Sequence, residues 1–418
     1  MRPPHGTPAS GLGAGLRWLR SLMTPDAQNA APRLAARILP APVAPRAPLN
    51  LLVIADAAGA TLQINLLRPL RAALAAGACR IHLVTEAEEA AWRLAGGRPG
   101  ETVRRLWDEA APTAIFVSRY GGGLAEEIVA AAKRHRTPLL YHLDDNLFAV
   151  PREAGASKVA KYGAPERQAA MRHLLSQADL VYLSTTRLRD QLAEAGLLPV
   201  RRDAVQIARI ASASDPLEPG VPRDGPGPVF GYMASSSHGP DLALALPGIE
   251  AALQRHPGAR FEIYGSLPMP GTLAGRFGAR VRHHPAVPDY DAFLRGLADL
   301  GWHWGLAPLR QGRFNEAKTD TKWVEYAAAG IPCLASHHPV YEAPLAAGAA
   351  VSVGDDEWAE ALPAAVADAA ARESMLAAAQ RRLRAEHGLA RMTAQLTEAF
   401  GAAGVPRALL ALPGMGPG

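Results

Sequence analysis

From residue 50 onward, short and almost unbroken apolar runs alternate with amphipathic stretches at helical spacing, and that alternation restricts the chain to an α/β architecture. Runs at 51–55, 81–84, 114–117, 138–143 and 180–183 read as strands buried on both faces, the pattern of a parallel sheet covered by helices. The segment SDPLEPGVPRDGPGP, residues 214–228, then concentrates proline and glycine, which end helices and strands alike. A second series follows, with strand-like runs at 229–233, 261–264, 302–307 and 331–335 and helical sequence over 356–400. The 418 residues have room for two cores of ~100–200 residues each. Two doubly wound, Rossmann-like domains facing each other across a cleft are therefore expected. The reading assigns 1–48 to a tail, 49–222 to a first domain with its linker, 223–400 to a second domain and 401–418 to a C-terminal tail. Ligands of such sheets bind beyond the carboxyl ends of the strands, so the chemistry is expected between the two sheets.

The charge distribution bears on partners. Residues 1–48 hold six arginines against one aspartate, which accounts for the whole formal net charge of +5. The rest is neutral and has no basic stripe interleaved with aromatics, which argues against nucleic acid. In the tail, Leu12, Leu16, Trp18, Leu19 and Met23 can share one face of a short basic helix. That pattern fits peripheral contact with anionic membrane lipid, and equally a poorly ordered extension with a few apolar residues. Arg17 and Arg20 interrupt its apolar segment, unlike a signal peptide. No run reaches the ~18 apolar residues of a membrane span. Cys79 and Cys333 stand far apart, without a disulfide or zinc pattern. A cytoplasmic protein is expected, at most peripheral to the inner membrane face.

Three segments carry candidate chemistry. The strand-like VFGYMA leads into Ser235, Ser236, Ser237, His238 and Gly239 before a helix, supplying hydroxyls and free N–H groups that suit a phosphate or sugar hydroxyl, or simply cap the helix. The segment FNEAKTDTKWVEYAAAGIPCLAS, residues 314–336, is richer. Thr319, Asp320 and Thr321 can cap a helix, with Lys318 and Lys322 bringing cations to its positive end. The chain has only five lysines, at 133, 158, 161, 318 and 322, so two here are a concentration. A lysine suits a phosphate and Glu325 suits ribose hydroxyls, although Lys322 and Glu325 could equally form an exposed i,i+3 pair. In the first domain, Asp144 and Asp145 follow the apolar PLLYHL, and Arg119 follows AIFVS. The two aspartates can orient a hydroxyl or take its proton, and Arg119 can reach the same cleft or be a surface loop arginine. Because successive strand residues point to opposite faces, only one of the two aspartates is expected in the cleft. Gly121, Gly122 and Gly123 lack the spacing of a dinucleotide fingerprint, which disfavours a nicotinamide dehydrogenase.

FNEAKTDTKWVEYAAAGIPCLAS resembles the donor-site motif of glycosyltransferase family 4, the group 1 glycosyl transferases, and GYMASSSHGPDL and YHLDDNLFAVP resemble that family's donor loop and a first-domain strand ending in paired aspartates. The resemblance spans roughly residues 50–400. It implies the GT-B fold and transfer of a sugar from a nucleoside diphosphate sugar to a glycan, lipid-linked or small-molecule acceptor, usually with retention. It implies no metal and no cofactor beyond the donor. Ser235, Ser236, His238, Asn315, Lys318, Thr319, Lys322 and Glu325 would serve the donor; Asp144, Asp145 and Arg119 would serve catalysis. Two departures stand out. Ala317 occupies the place of the family's first glutamate, where Asn315, Lys318 and Thr319 match a variant pattern, and IARIAS replaces the usual Pro-Asn turn after the first domain. A non-catalytic glycan- or nucleotide-binding protein and a nucleotide-sugar epimerase remain alternatives on the same fold.

Overall fold

A computed structural model describes residues 37–39, 49–199, 201–218 and 227–413. The first lobe contains β1 (Arg37–Leu39), β2 (Leu49–Ala55), β3 (Cys79–Thr85), β4 (Ala114–Ser118), β5 (Leu139–Leu143), β6 (Leu180–Leu183) and β7 (Val205–Ile207). They form one sheet in the order β1-β3-β2-β4-β5-β6-β7, parallel except for β1, which pairs antiparallel with β3. The second lobe contains β8 (Val229–Ala234), β9 (Arg260–Gly265), β10 (Val281–Pro285), β11 (Trp304–Ala307), β12 (Cys333–Ser336) and β13 (Val351–Val353). These form a parallel sheet in the order β10-β9-β8-β11-β12-β13. Both are Rossmann-like, as expected. Strand order reverses around β2 in the first sheet and around β8 in the second, and at such reversals the helices on either face diverge and leave a crevice.

The near-continuous apolar runs have a direct cause. In β2, Leu52 and Ile54 enter one helical layer while Leu51 and Val53 enter the opposite one, and β4 divides Ile115 and Val117 from Phe116 in the same way. Two layers must be filled from each strand, so most positions are apolar, and two exceptions, Ser118 and His142, pair with each other at 3.1 Å.

The ends of the chain depart from the sequence reading. Arg37–Leu39 is a strand rather than tail, while the amphipathic segment around Trp18 lies outside the described residues. The helix Leu389–Ala402, expected in the second domain, returns to the first sheet. Its Leu396 and Phe400 are buried against that sheet, with the Phe400 ring 6.2 Å from Phe116. Gln395 on the same helix accepts from the Arg209 and Ile210 N–H groups at 2.7 and 2.8 Å and donates to the Tyr182 hydroxyl at 2.6 Å. It thereby holds the IARIAS segment in place of the missing Pro-Asn turn. Leu410 and Leu412 are buried in that layer too, so the expected C-terminal tail begins no earlier than the end of the described residues. Among the described residues, no helix is long and apolar enough to cross a membrane.

Candidate active site in the cleft

Four charged residues of the first lobe occupy equivalent places. Asp56, Glu86, Arg119 and Asp144 each follow the last residue of their strand, β2, β3, β4 and β5 respectively. Parallel strands deliver their carboxyl ends to one edge, so the four converge. Arg119 lies at the centre in the left-handed region, with φ of 54°, where its N–H donates to the His142 carbonyl at 3.0 Å. Its Nη1 donates to Asp144 at 2.6 Å and Asp145 at 3.3 Å, its Nη2 to the Tyr162 hydroxyl at 3.2 Å, and its Nε lies 3.4 Å from Asp56. Tyr162 donates to Asp56 at 2.9 Å and Thr61 to Asp144 at 2.7 Å. Burial works against the guanidinium charge, but Asp144 and Asp145 more than offset it and raise the Arg119 pKa well above its usual value. Burial likewise pushes Asp145 up, yet Lys318, Arg119 and Lys158 bring it down to about 2. At Asp56 burial prevails over Arg119 and Lys161, and its pKa is raised.

Both Asp144 and Asp145 reach Arg119 and line the cleft, contrary to the expectation that only one would. The alternation rule fails because β5 ends at Leu143, so neither aspartate is a strand residue. The glycine run next to Arg119 has a packing origin. Gly121 and Gly123 N–H groups donate to Glu86 and Glu89 at 3.2 and 3.1 Å, and a Cβ on Gly122 would come within 2.5 Å of a Glu89 oxygen.

In the second lobe, the helix Thr321–Ala328 starts at the cleft. Thr319 and Thr321 share a hydrogen bond of 2.7 Å. Asp320, at the N-cap, makes no side-chain capping bond, contrary to the capping expected of it, so its carboxylate does not take up the N–H groups of the first turn, whose Thr321 and Lys322 line the cleft. Lys322 does not pair with Glu325. Its ammonium bonds the Met233 carbonyl at the end of β8 and lies 4.6 Å above the Tyr232 ring, while Glu325 is buried and accepts from the Tyr290 hydroxyl at 2.7 Å. The exposed surface pair is thus ruled out by position. Burial pulls Lys322 down to about 8, with Glu325 and Asp241 only partly offsetting it, and raises Glu325.

These groups enclose a cavity of about 450 Å³ between the lobes. Of the residues expected from sequence, Arg119, Asp144, Asp145, Ser235, His238, Lys318, Thr319, Lys322 and Glu325 line it. Ser236 and Asn315 do not. The Ser236 N–H donates to Ser266 at 3.1 Å, and the Asn315 amide donates to the Arg310 carbonyl at 2.9 Å from an adjoining hollow. His238 is held at 2.9 Å by Asp241, and burial keeps its pKa below the usual value despite that partner. Sequence reasoning missed Asp56, Thr61, Tyr162 and an aromatic wall in which Tyr264 stacks on Phe293 at 4.9 Å and 9°. It also missed Lys158 and Lys161, although the scarcity of lysine that pointed to Lys318 and Lys322 applies to them equally: four of the five lysines gather around the cleft. Among the described residues, no group of three or more His, Cys, Asp or Glu is arranged to hold a metal ion.

A testable consequence concerns pH. A lysine depressed to about 8 is charged below that value and loses its charge as pH rises through it, whereas a bound anion keeps the proton on. Affinity for UDP is therefore expected to be full near pH 7 and to fall about tenfold by pH 9. Calorimetric titration across that window checks it; a flat profile, or one shared by Lys322→Met, would remove Lys322 from the anion site.

Comparison with known proteins agrees with this architecture. Residues 248–398 match the family described as glycosyl transferase-like, a match covering less than half of the chain. No curated protein matches significantly in sequence. Among solved structures, Anabaena Alr3699/HepE in complex with UDP and glucose aligns with a TM-score of 0.58 at 14% identity, covering 84% of this chain and 99% of that one. The α,α-trehalose 6-phosphate synthase of Burkholderia multivorans aligns at 0.54 and 12%, covering 85% and 98%. A point mutant of the Thermobaculum terrenum O-GlcNAc transferase aligns at 0.51 and 15%, covering 89% and 71%. With two Rossmann-like sheets opposed across a cleft, the chain has the GT-B fold of these glycosyltransferases.

Proposed function

We propose that this protein is a glycosyltransferase, moving a sugar from a nucleoside diphosphate sugar to a glycan, lipid-linked or small-molecule acceptor, with retention of configuration and without a metal. The observation that carries this reading is the convergence of Lys318, Lys322 and the open first turn of the helix Thr321–Ala328 on one interlobe cavity. Cations and helix N–H groups together suit a diphosphate. Glu325, with one oxygen held by Tyr290, suits the ribose, and the Tyr264–Phe293 wall suits a flat base. The complex of Alr3699/HepE with UDP and glucose supports the same ligand class on this fold.

The charge state of Asp145 supports retention. Inversion requires a base opposite the leaving group, and a carboxyl held down to about 2 by Lys318, Arg119 and Lys158 is a poor one. Asp145 and Asp144 therefore orient the acceptor hydroxyl through the Arg119 cluster. As the bond from the anomeric carbon to phosphate oxygen breaks, the acceptor oxygen bonds to that carbon on the same face and its proton passes to the leaving phosphate. Lys318, Lys322 and the helix N–H groups stabilise the negative charge that develops there, the role a metal would otherwise fill.

The non-catalytic alternative rested on Ala317, and the packing of that residue weakens it. Ala317 is fully buried within the first lobe's core and its carbonyl accepts from Thr185 at 2.8 Å, so a glutamate at this position would enter apolar packing rather than the cleft. The test is a turnover screen with UDP-, GDP- and ADP-sugars and mixed acceptors, with and without EDTA. Release of nucleoside diphosphate with a new glycosidic product, undiminished by EDTA, is expected. Binding without turnover would favour the non-catalytic protein, interconversion of the donor alone an epimerase, and loss restored only by added metal would refute metal independence.

A further inference from the structure

Beside the donor cavity lies a second hollow of about 380 Å³, walled by the first lobe's segment 149–158 and by loops 237–241 and 310–318 of the second. His238 and Lys318 line both spaces, so the two adjoin. Lys158, Arg310, Arg313 and Lys318 face the hollow against two carboxylates, Glu153 and Asp241. Asp241 is already engaged, bonded to His238 at 2.9 Å and to the Arg310 N–H at 3.1 Å. Arg313 is paired with Glu194 on the lobe opposite. Among the described residues, Lys158, Arg310 and Lys318 form no ion pair with a carboxylate; the two lysines instead lie over the same Phe314 ring, at 5.6 and 5.2 Å. Burial pulls the Lys158 pKa down, and Asp145 only partly offsets it. Asp145 acts on both lysines but is shared with Arg119, so the cations gathered in this partly desolvated hollow still repel one another, and an anion entering it relieves that repulsion.

We infer that the second hollow binds the acidic group, a carboxylate or a phosphate, of one of the two sugars that meet at the donor cavity. This rests on the nucleotide-sugar reading and deepens it. The hollow is large enough for a monosaccharide with its substituent. Lys318 stands at the junction, so one end of the reacting sugar meets the diphosphate site while its acidic group faces Lys158 and Arg310.

Calorimetric titration of the full chain tests this in two arms. The donor arm compares UDP-glucuronic acid with UDP-glucose, and the acceptor arm compares glucose 6-phosphate with glucose in the presence of saturating UDP. In one arm the acidic compound is expected to bind at least about tenfold tighter than its neutral counterpart, the difference a single charged contact supplies. Arg310→Ala and Lys158→Ala should each reduce that preference, while UDP itself still binds and thermal melting shows a folded chain. The arm that responds identifies whether donor or acceptor carries the acid. UDP binding with no acidic preference in either arm, or a preference unchanged in both variants, overturns the inference alone. A parent chain that does not bind UDP overturns the donor reading, and the inference falls with it.

Discussion

Lys322→Ala is expected to weaken UDP binding by about 10- to 100-fold, since a charged hydrogen bond in such a site contributes ~1.5–3 kcal/mol and each ~1.4 kcal/mol is tenfold. The buried setting raises the contribution. Lys322 lies over the Tyr232 ring with its ammonium anchored at the β8 carboxyl end, so its position is held before the ligand arrives and little side-chain freedom is lost on binding. Free uridine offers no diphosphate, and its affinity should change little in this variant. Glu325→Ala should weaken uridine and UDP alike, because the carboxylate serves the ribose. Titration of the four pairings separates the two roles. If both folded variants bind UDP like the parent, the donor site has been assigned to the wrong end of the cleft.

Arg119→Met is expected to destabilise the protein by roughly 3–5 kcal/mol at pH 7, the loss typical when one partner of a buried ion cluster is removed. Methionine meets the same left-handed backbone at φ of 54° and fills a similar length, so the charge is the principal change. Asp56, Asp144 and Asp145 would remain half-buried without the guanidinium that bridges them; Lys318 and Lys158 act on Asp145 but form no bond to it. The pH dependence has a definite sign. In the parent, a carboxyl lowered to about 2 adds stability that is present above the usual carboxylate value and lost as pH falls toward 2. In the variant, Lys318 and Lys158 still act on Asp145 and Lys161 on Asp56, but with the Arg119 charge gone burial raises both carboxyls, a penalty present at neutral pH and relieved as they protonate. The gap between parent and variant should therefore narrow from pH 7 to about pH 4 in urea unfolding. A difference below about 1 kcal/mol at pH 7 would mean that solvent, not Arg119, carries the charge balance of the cluster.

How far the sequence disclosed this arrangement can be traced residue by residue. Strands such as β4, AIFVS, were legible because helices cover both faces and every position before the terminal Ser118 is apolar. The edge strand β10, VRHHP, was not, since only one neighbour and partial cover demand nothing of its side chains, and β7 is half-buried throughout. The apolar stripe of the last helix announced that it packs; nothing in the stripe distinguishes one sheet from the other. Charged residues directly after strand-like runs do gather at one edge of the first sheet, and Asp56 after LLVIA carried that signal as clearly as Asp144 did. Ser236 and Asn315 lie outside the cavity, and sequence does not show it: a small polar residue near a helix start looks the same whether it faces a ligand or neighbouring protein, here Ser266 and the Arg310 carbonyl.

The return of Leu389–Ala402 to the first sheet orders events during synthesis. The strands of the first lobe precede the second lobe in sequence, but Leu396, Phe400, Leu410 and Leu412, which cover one of its faces, are made only after the strands of the second lobe. Until then the apolar residues of that face, Phe116 among them, lack part of their cover, and such surface is where nascent chains aggregate. Of the two lobes, the one made first is thus the one that finishes last, and a stop codon just before Leu389 would strip the cover from it rather than from the lobe that precedes this helix in sequence.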